Sequence, residues 1–375
     1  MAKYRFEQIA VNCTAKKIPT DEERLTYVGL EHLDSGRLIV DRWGSAVPLI
    51  GEKLIMHKGD VLLGKRNAYL RRAAIAPHDG VFSAHGMVLQ PREEVIDKDF
   101  FPLFIASDYF FDTAIRISVG SLSPTVNWKD LRIAEFELPD FDTQRKLAKL
   151  LWSMVEAKEA YQELLRQTDE LVKAQFVEIF GELDKNTKQF PLKKLNEISS
   201  YWNGLTYKPT DLVEAGAGTL VLRSSNIQNG VLAFDDNVYV GCEIKEKLLV
   251  QDNDILMCSR NGSAALVGKT ALIKGLTEPT TFGAFMMVIR SKYYSYLKTY
   301  FEMPFFRNQI STGTSTINQI TGKMLNEIRL PVPDMDSVQH FEVFSYQSDQ
   351  SKYELGQTIR SLETIYKQIL SENLG

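Results

Sequence analysis

Cysteine is scarce: the 375 residues contain three, Cys13, Cys242 and Cys258, an odd number with no CxxC pair. A disulfide framework and a zinc ribbon are both excluded, and a reducing, cytoplasmic setting is expected. The five histidines (His32, His57, His78, His85, His340) share no metal-ligand spacing, so no metal site is predicted. No run of about 18 apolar residues is present to cross a membrane, and the N-terminal MAKYRFEQIAVNCTAKK lacks the apolar centre of a secretory signal. Catalytic signatures are missing as well. There is no GxSxG, no HExxH, and no Asn-Pro-Pro-Tyr/Phe motif of adenine methyltransferases. The segment GSAALVGKT (262–270) imitates a phosphate-binding loop, but five residues separate Gly262 from Gly268 where that loop has four, so nucleotide binding is not expected. Excess basic charge is also absent. The 44 Lys and Arg stand against 48 Asp and Glu, net −4, which taken globally speaks against nucleic acid.

What is present is an ordinary globular composition, 44% hydrophobic and 25% charged, in a chain long enough for two to three domains of about 150 residues. It is also internally repeated. GDVLLGKRN (59–67) resembles NDILMCSRN (253–261), matching Asp60, Arg66 and Asn67 to Asp254, Arg260 and Asn261 at an offset of 194. The same offset relates Gly36 to Gly230, and Pro139, Asp140 and Asp142 to Pro333, Asp334 and Asp336. VFSAHGMVL (81–89) resembles TFGAFMMVI (281–289) at offset 200, and Phe6 and Ile9 pair with Leu195 and Ile198 at offset 189. So long a period indicates a duplicated domain rather than a solenoid.

Each half begins with short β-like runs bounded by Gly, Asp, Asn and Pro: DVLLGKR, RRAAIAP, GVFSAHGMVLQ and LRIAEFELP, then DILMCSR, GKTALIK, FGAFMMVIR and EIRLPVP. KDFFPLFIASDYFFDTAI and YSYLKTYFEMPFFRNQI read as short helices on such a sheet. The period then changes. From Thr143 to Phe180 there is neither Gly nor Pro, and Leu147, Leu150, Met154, Ala157, Tyr161, Leu164, Thr168 and Leu171 follow heptad spacing, with Gly181 placed as a stop. The second copy, from about Ser337, has its best seam at Leu355, Thr358, Leu362, Ile365 and Ile369. Asp142 and Asp336 are candidate caps. The expected fold class is α+β: two similar mixed domains, 1–140 and 182–335, separated by long helices at 141–181 and 336–375. These would pair as an antiparallel coiled-coil stalk with pseudo-twofold symmetry.

The duplicated Asp60 and Asp254 precede strands and read as turn residues rather than catalytic acids. The acid-free stretches are more informative. Residues 61–78 carry Lys65, Arg66, Asn67, Arg71 and Arg72. Residues 255–277 carry Arg260, Asn261 and Lys269, and 303–326 carry Thr314, Asn318 and Lys323, with Ser121 in the matching part of the first half. Arg and Lys suit phosphates and guanine edges, Asn adenine, and hydroxyls either, so these residues are the candidate DNA contacts. The charge agrees once divided. Residues 1–140 are net −2 and 181–335 net +2, whereas 141–180 and 336–375 carry −1 and −3, so the whole deficit lies on the helices.

At this point the sequence resembles the specificity (S) subunit of type I restriction–modification systems, over essentially the whole chain. The resemblance rests on Phe6xxIle9 and Leu195xxIle198, SGRL and NGVL, GDVLLGKRN and NDILMCSRN, VGK at 267–269, and Gly120-Ser121 and Gly313-Thr314. The helix starts depart from the family's Pro-x-Leu-x-x-Gln, reading Pro139 to Gln144 and, with one extra residue, Pro333 to Gln339. The resemblance implies that each domain reads one half of a split double-stranded DNA target and that the helices set the gap between the halves. It implies no catalysis and no cofactor in this chain. Two modification (M) subunits would use S-adenosylmethionine, and restriction (R) subunits, where present, ATP and magnesium. A scaffold carrying two protein-binding domains is the alternative from another class.

Overall fold

The computed structural model describes residues 1–310 and 319–374, and the chain divides into two compact units, Met1–Glu159 with Arg360–Gly375, and Ala160–Ile359. Each unit joins an α+β domain to part of each of two 40-residue helices, Phe141–Phe180 and Met335–Leu374. The first helix divides between Glu159 and Ala160 and the second between Ile359 and Arg360, because each part packs on the core of its own unit.

In the first unit a four-stranded antiparallel sheet runs in the order Ala10–Cys13, Gly86–Pro91, Val61–Gly64, Ala73–Ile75. Alternate residues of a strand face opposite ways, and here both faces are covered. Val61, Leu63 and Leu89 enter a core with the helices Phe101–Ala106 and Asp108–Arg116. Leu62, Ala74 and Val88 enter a second core, against a sheet of Lys16–Lys17, Lys53–Met56, Gly80–Phe82 and Tyr27–Val28. Double burial is why these strands read as unbroken apolar runs. The second unit repeats the plan with Ser200–Asn203, Met286–Arg290, Ile255–Cys258 and Thr270–Leu272, under the helices Tyr294–Glu302 and Pro304–Ile310. Even the register repeats, Leu62 opposite Val88 and Leu256 opposite Val288. Phe6–Ile9 and Leu195–Ile198 each form a single helical turn after a strand that pairs with the last strand of its domain, Glu135–Leu138 or Arg329–Pro331.

Both long helices start alike, one residue pair earlier than the expected caps. Asp140 accepts from the Thr143 amide (2.9 Å) and hydroxyl (3.1 Å), and Asp334 from the Ser337 amide (2.8 Å) and hydroxyl (3.1 Å). Those bonds, the amide bond foremost, hold both carboxyls below the ordinary aspartate range. Asp142 and Asp336 are instead first-turn acids, still favourable to the helix dipole. The extra residue before Gln339 does not shift the helix. Val338 stands 194 residues after Gln144, and both are buried.

The packing stripe lies one residue beyond the one read from heptad spacing. On the first helix Ala148, Leu151, Leu165, Val172 and Phe176 are buried, with Val155, Lys158, Gln162 and Asp169 half-buried between them. Leu150, Leu164 and Leu171 face outward, as does Ile365 on the second helix, where Tyr366 and Leu370 turn inward. Of the expected positions Leu147 is buried, Met154 and Ile369 pack on the first core, and Tyr161, Leu355 and Leu362 are half-buried. The reason is that the true stripe contains polar residues which find partners. Lys158 meets Glu363 at 2.8 Å in the first unit, and Lys352 meets Asp169 at 3.1 Å in the second. The two lysines are 194 apart in sequence, and so are the two acids. In the first unit Leu147 and Leu151 share a core with Leu370 and Leu374, and in the second Phe176 and Phe180 meet Phe341 at 5.5 and 5.4 Å. The paired halves therefore run antiparallel within each unit.

Candidate nucleic-acid interface

Sheet direction gathers the duplicated residues. In the first unit Val61–Gly64 ends where Gly86–Pro91 and Ala73–Ile75 begin, because its neighbours are antiparallel. Lys65, Arg66, Arg72 and His85 therefore meet at one end of the sheet. The Lys65 amide donates to the His85 carbonyl (3.3 Å), the Lys65 carbonyl accepts from Val126 (2.9 Å), and Arg66 bridges to Thr125. In the second unit the Ser259 and Arg260 amides both donate to the Phe285 carbonyl (2.9 and 3.0 Å), Ile320 donates to the Ser259 carbonyl (2.7 Å), and Arg260 bridges to Gln319. Each unit thus presents an exposed arginine just past a central strand, between a hairpin tip and an incoming segment. No acidic side chain pairs with Arg66 or Arg260 among the described residues.

The remaining sequence candidates divide. Lys269, whose carbonyl accepts from Cys258 (2.9 Å), lies exposed at the same sheet end as Arg260, and Lys323 is exposed on the first turn of Gly322–Glu327. Ser121 is exposed in the bend before Thr125. Arg72 is half-buried, bridged to Ser35. Three candidates are engaged within the chain. Asn67 sits at φ +53° and accepts from the Ser123 hydroxyl (3.0 Å), and Asn261 donates to Ser224 (3.3 Å) while accepting from the Ser263 amide (2.9 Å). Both side chains shape turns. Arg71 is bound to Asp108 and Asp112, each at 2.6 Å, on the wall of a cavity of about 770 Å³ that also includes Arg37, Lys158 and Tyr366. Thr314 and Asn318 lie outside the described residues.

Three basic residues escaped the sequence reading. Burial, then Lys16 and Arg66, pulls Lys65 below the lysine range. Burial, then Arg66, Lys65 and Lys53, pulls His85 below the histidine range. Lys16, Lys53 and His85 therefore share one positive field with Lys65 and Arg66. They come from three separate segments, so no local run could signal the cluster.

The duplicated acids and Gly268 are structural. Asp60 accepts from the His57 amide (2.7 Å) and Gln90 (2.8 Å), and Asp254 from the Gln251 amide (2.8 Å) and both arms of Arg290 (2.7 Å each). Gly268 has φ +82° and lies against the Arg307 guanidinium, which a Cβ would meet at 2.9 Å. Residues 264–266 form a short 3-10 turn and Thr270–Leu272 a strand, so the GSAALVGKT segment folds as sheet edge. No His, Cys, Asp and Glu group able to hold a metal occurs among the described residues, and none of their helices is long and apolar enough to cross a membrane.

Residues 187–363 match the family model for the type I restriction modification DNA specificity domain. The type I restriction enzyme StySPI specificity subunit of Salmonella potsdam is 25% identical over 189 residues, 47% of this chain and 41% of that protein. The EcoKI specificity subunit of Escherichia coli (strain K12) is 25% identical over 280 residues, 68% of this chain and 58% of that protein. The chain thus matches about half the length of these relatives. The crystal structure of a type I restriction–modification S subunit from M. genitalium shares the fold, with a TM-score of 0.60 at 14% identity, covering 100% of this chain and 96% of that one.

Proposed function

From the chain's place in the type I restriction–modification specificity family, we propose that it is the DNA-recognition subunit of such an enzyme. One observation carries the reading: Arg66 and Arg260 occupy the same setting in two copies of one domain, exposed, with no acid beside either among the described residues. Each arginine, with its neighbouring lysines, contacts one half of a split double-stranded target. Guanine edges and phosphates are its natural partners. The paired helices set the spacing of the halves. Their outward residues, Leu164 and Leu171 among them, dock two M subunits. The chain performs no chemistry itself. S-adenosylmethionine is used by the M subunits, and ATP with magnesium by R subunits where those join, all in the cytoplasm.

The test is to assemble the full chain with its M subunits and map the methylated sites. A bipartite motif is expected, with binding that weakens steeply as salt rises. Exchanging residues 1–140 for those of another family member should change one half of the motif only. Absence of salt-dependent DNA binding by the assembled complex would instead favour a protein scaffold.

A further inference from the structure

The two arginine settings differ at one residue of the hairpin tip. Beside Arg66 stands His85, exposed like its counterpart but polar, in the field of Arg66, Lys65 and Lys53. Beside Arg260 stands Phe285, a large apolar side chain left 61% exposed. Its position is fixed rather than incidental, since the Phe285 carbonyl accepts from the Ser259 amide (2.9 Å), the Arg260 amide (3.0 Å) and the Ser259 hydroxyl (2.9 Å). Its ring lies 5.6 Å from the Arg260 guanidinium carbon, within cation–π reach. A ring held out in solvent by so fixed a backbone gives the fold nothing, because burial is what makes an aromatic stabilising.

We propose that Phe285 is a specificity-determining residue of the second domain, contacting a thymine methyl next to the guanine edge taken by Arg260. This rests on the DNA-recognition reading above and deepens it. The chemistry follows from the groove. Thymine is the base that offers a methyl there, and a phenyl ring is among the side chains that meet it, while a guanidinium takes guanine O6 and N7. A ring and a guanidinium 5.6 Å apart fall within one to two base-pair steps, each about 3.4 Å. The ring also holds the guanidinium in place, so fewer rotamers are lost when a base is bound. His85 at the equivalent place offers a polar edge. The half-site read by the first domain therefore lacks the methyl requirement, and the two halves of the target differ.

The experiment uses the full chain assembled with its M subunits and duplexes carrying the mapped motif. Each thymine is replaced in turn by deoxyuridine, which removes the methyl and nothing else. In the wild-type complex one replacement, in one half-site, weakens binding about four-fold, the worth of one buried methyl. In Phe285→Ala that discrimination disappears, and so it does in Phe285→His, which carries the first domain's own tip residue. Phe285→Leu, still apolar, keeps it. Equal affinity for thymine and deoxyuridine duplexes at every position overturns the proposal. A Phe285→Ala complex with the wild-type thymine preference overturns it too. A wild-type complex that binds no motif-bearing DNA would overturn the recognition reading itself, and this is seen before any substitution is made.

Discussion

Asp349 sits between two lysines that water scarcely reaches. Lys298 and Lys352, 1% and 2% exposed, approach it at 3.2 and 3.1 Å, while Glu302 backs Lys298 at 3.5 Å and Asp169 backs Lys352 at 3.1 Å. Burial works against the charge on Lys298, and Glu302 and Asp349 outweigh it, so its pKa stands above the lysine range. Asp349→Asn leaves each lysine one acid instead of two. Breaking a buried pair costs about 3–5 kcal/mol, and because one acid remains on each side the cost expected here is at the low end, about 3 kcal/mol. The pH dependence should change as well. In the wild type the folded pKa of Lys298 exceeds the unfolded one, so its stabilisation is complete below the ordinary lysine pKa and fades as pH rises through the folded value. In the variant one of the acids that raise the folded value is gone, so the folded pKa moves back towards the unfolded one and the fading sets in at lower pH. Urea unfolding of the full chain labelled with fluorotryptophan measures this, since Trp202 alone of the four tryptophans lies in the second unit. A loss under about 1 kcal/mol, far below the cost of a broken buried pair, or a pH slope matching the wild type, would refute the reasoning.

Four further outcomes follow. Arg66→Ala and Arg260→Ala should each relax one half-site at a cost of about 1–3 kcal/mol, read by methylation mapping of the assembled complex. Arg71→Ala should leave the motif and the salt dependence of binding unchanged, because Asp108 and Asp112 already hold that side chain; a change in either would return it to the interface. DNA binding should strengthen as pH falls through the depressed His85 pKa, where protonation adds a cation beside Arg66, and His85→Gln should abolish that gain in binding titrations. Leu151→Ala should destabilise the fold by about 2–5 kcal/mol, whereas Leu164→Gln should cost within about 0.5 kcal/mol and weaken M-subunit assembly instead, as unfolding and pull-down measurements on the same variants will tell.

The duplicated domain, its strands and its helix pairs were legible because double burial writes each strand as a short apolar run. The stripe of the long helices was not. Apolar spacing favoured Leu150, Leu164 and Leu171, yet Lys158, Gln162 and Asp169 lie on the inward side, where ion pairs replace apolar contact. Composition cannot tell a lysine facing solvent from one facing a carboxylate on another helix. The surroundings of the candidate residues were legible only in part. Arg66 and Arg260 stand out in the sequence because the repeat preserves them, and the structure gives them matching settings. The acids that hold Arg71 stand 37 and 41 residues away, so no local run announces them. Lys16, Lys53 and His85 gave no signal because only the sheet brings their segments towards Lys65 and Arg66. Phe285 gave none because an apolar residue in an apolar run gives no sign that it ends up outside.

The helix ion pairs also impose a rule of inheritance. Lys158 and Asp169 are encoded in the first half of the gene, Lys352 and Glu363 in the second, and each bridge takes one member from either half. A crossover between the halves therefore breaks both bridges unless the incoming half brings its own lysine and acid to the same places. A change at one of these four positions therefore has its matching change in the other half of the gene, not in its own.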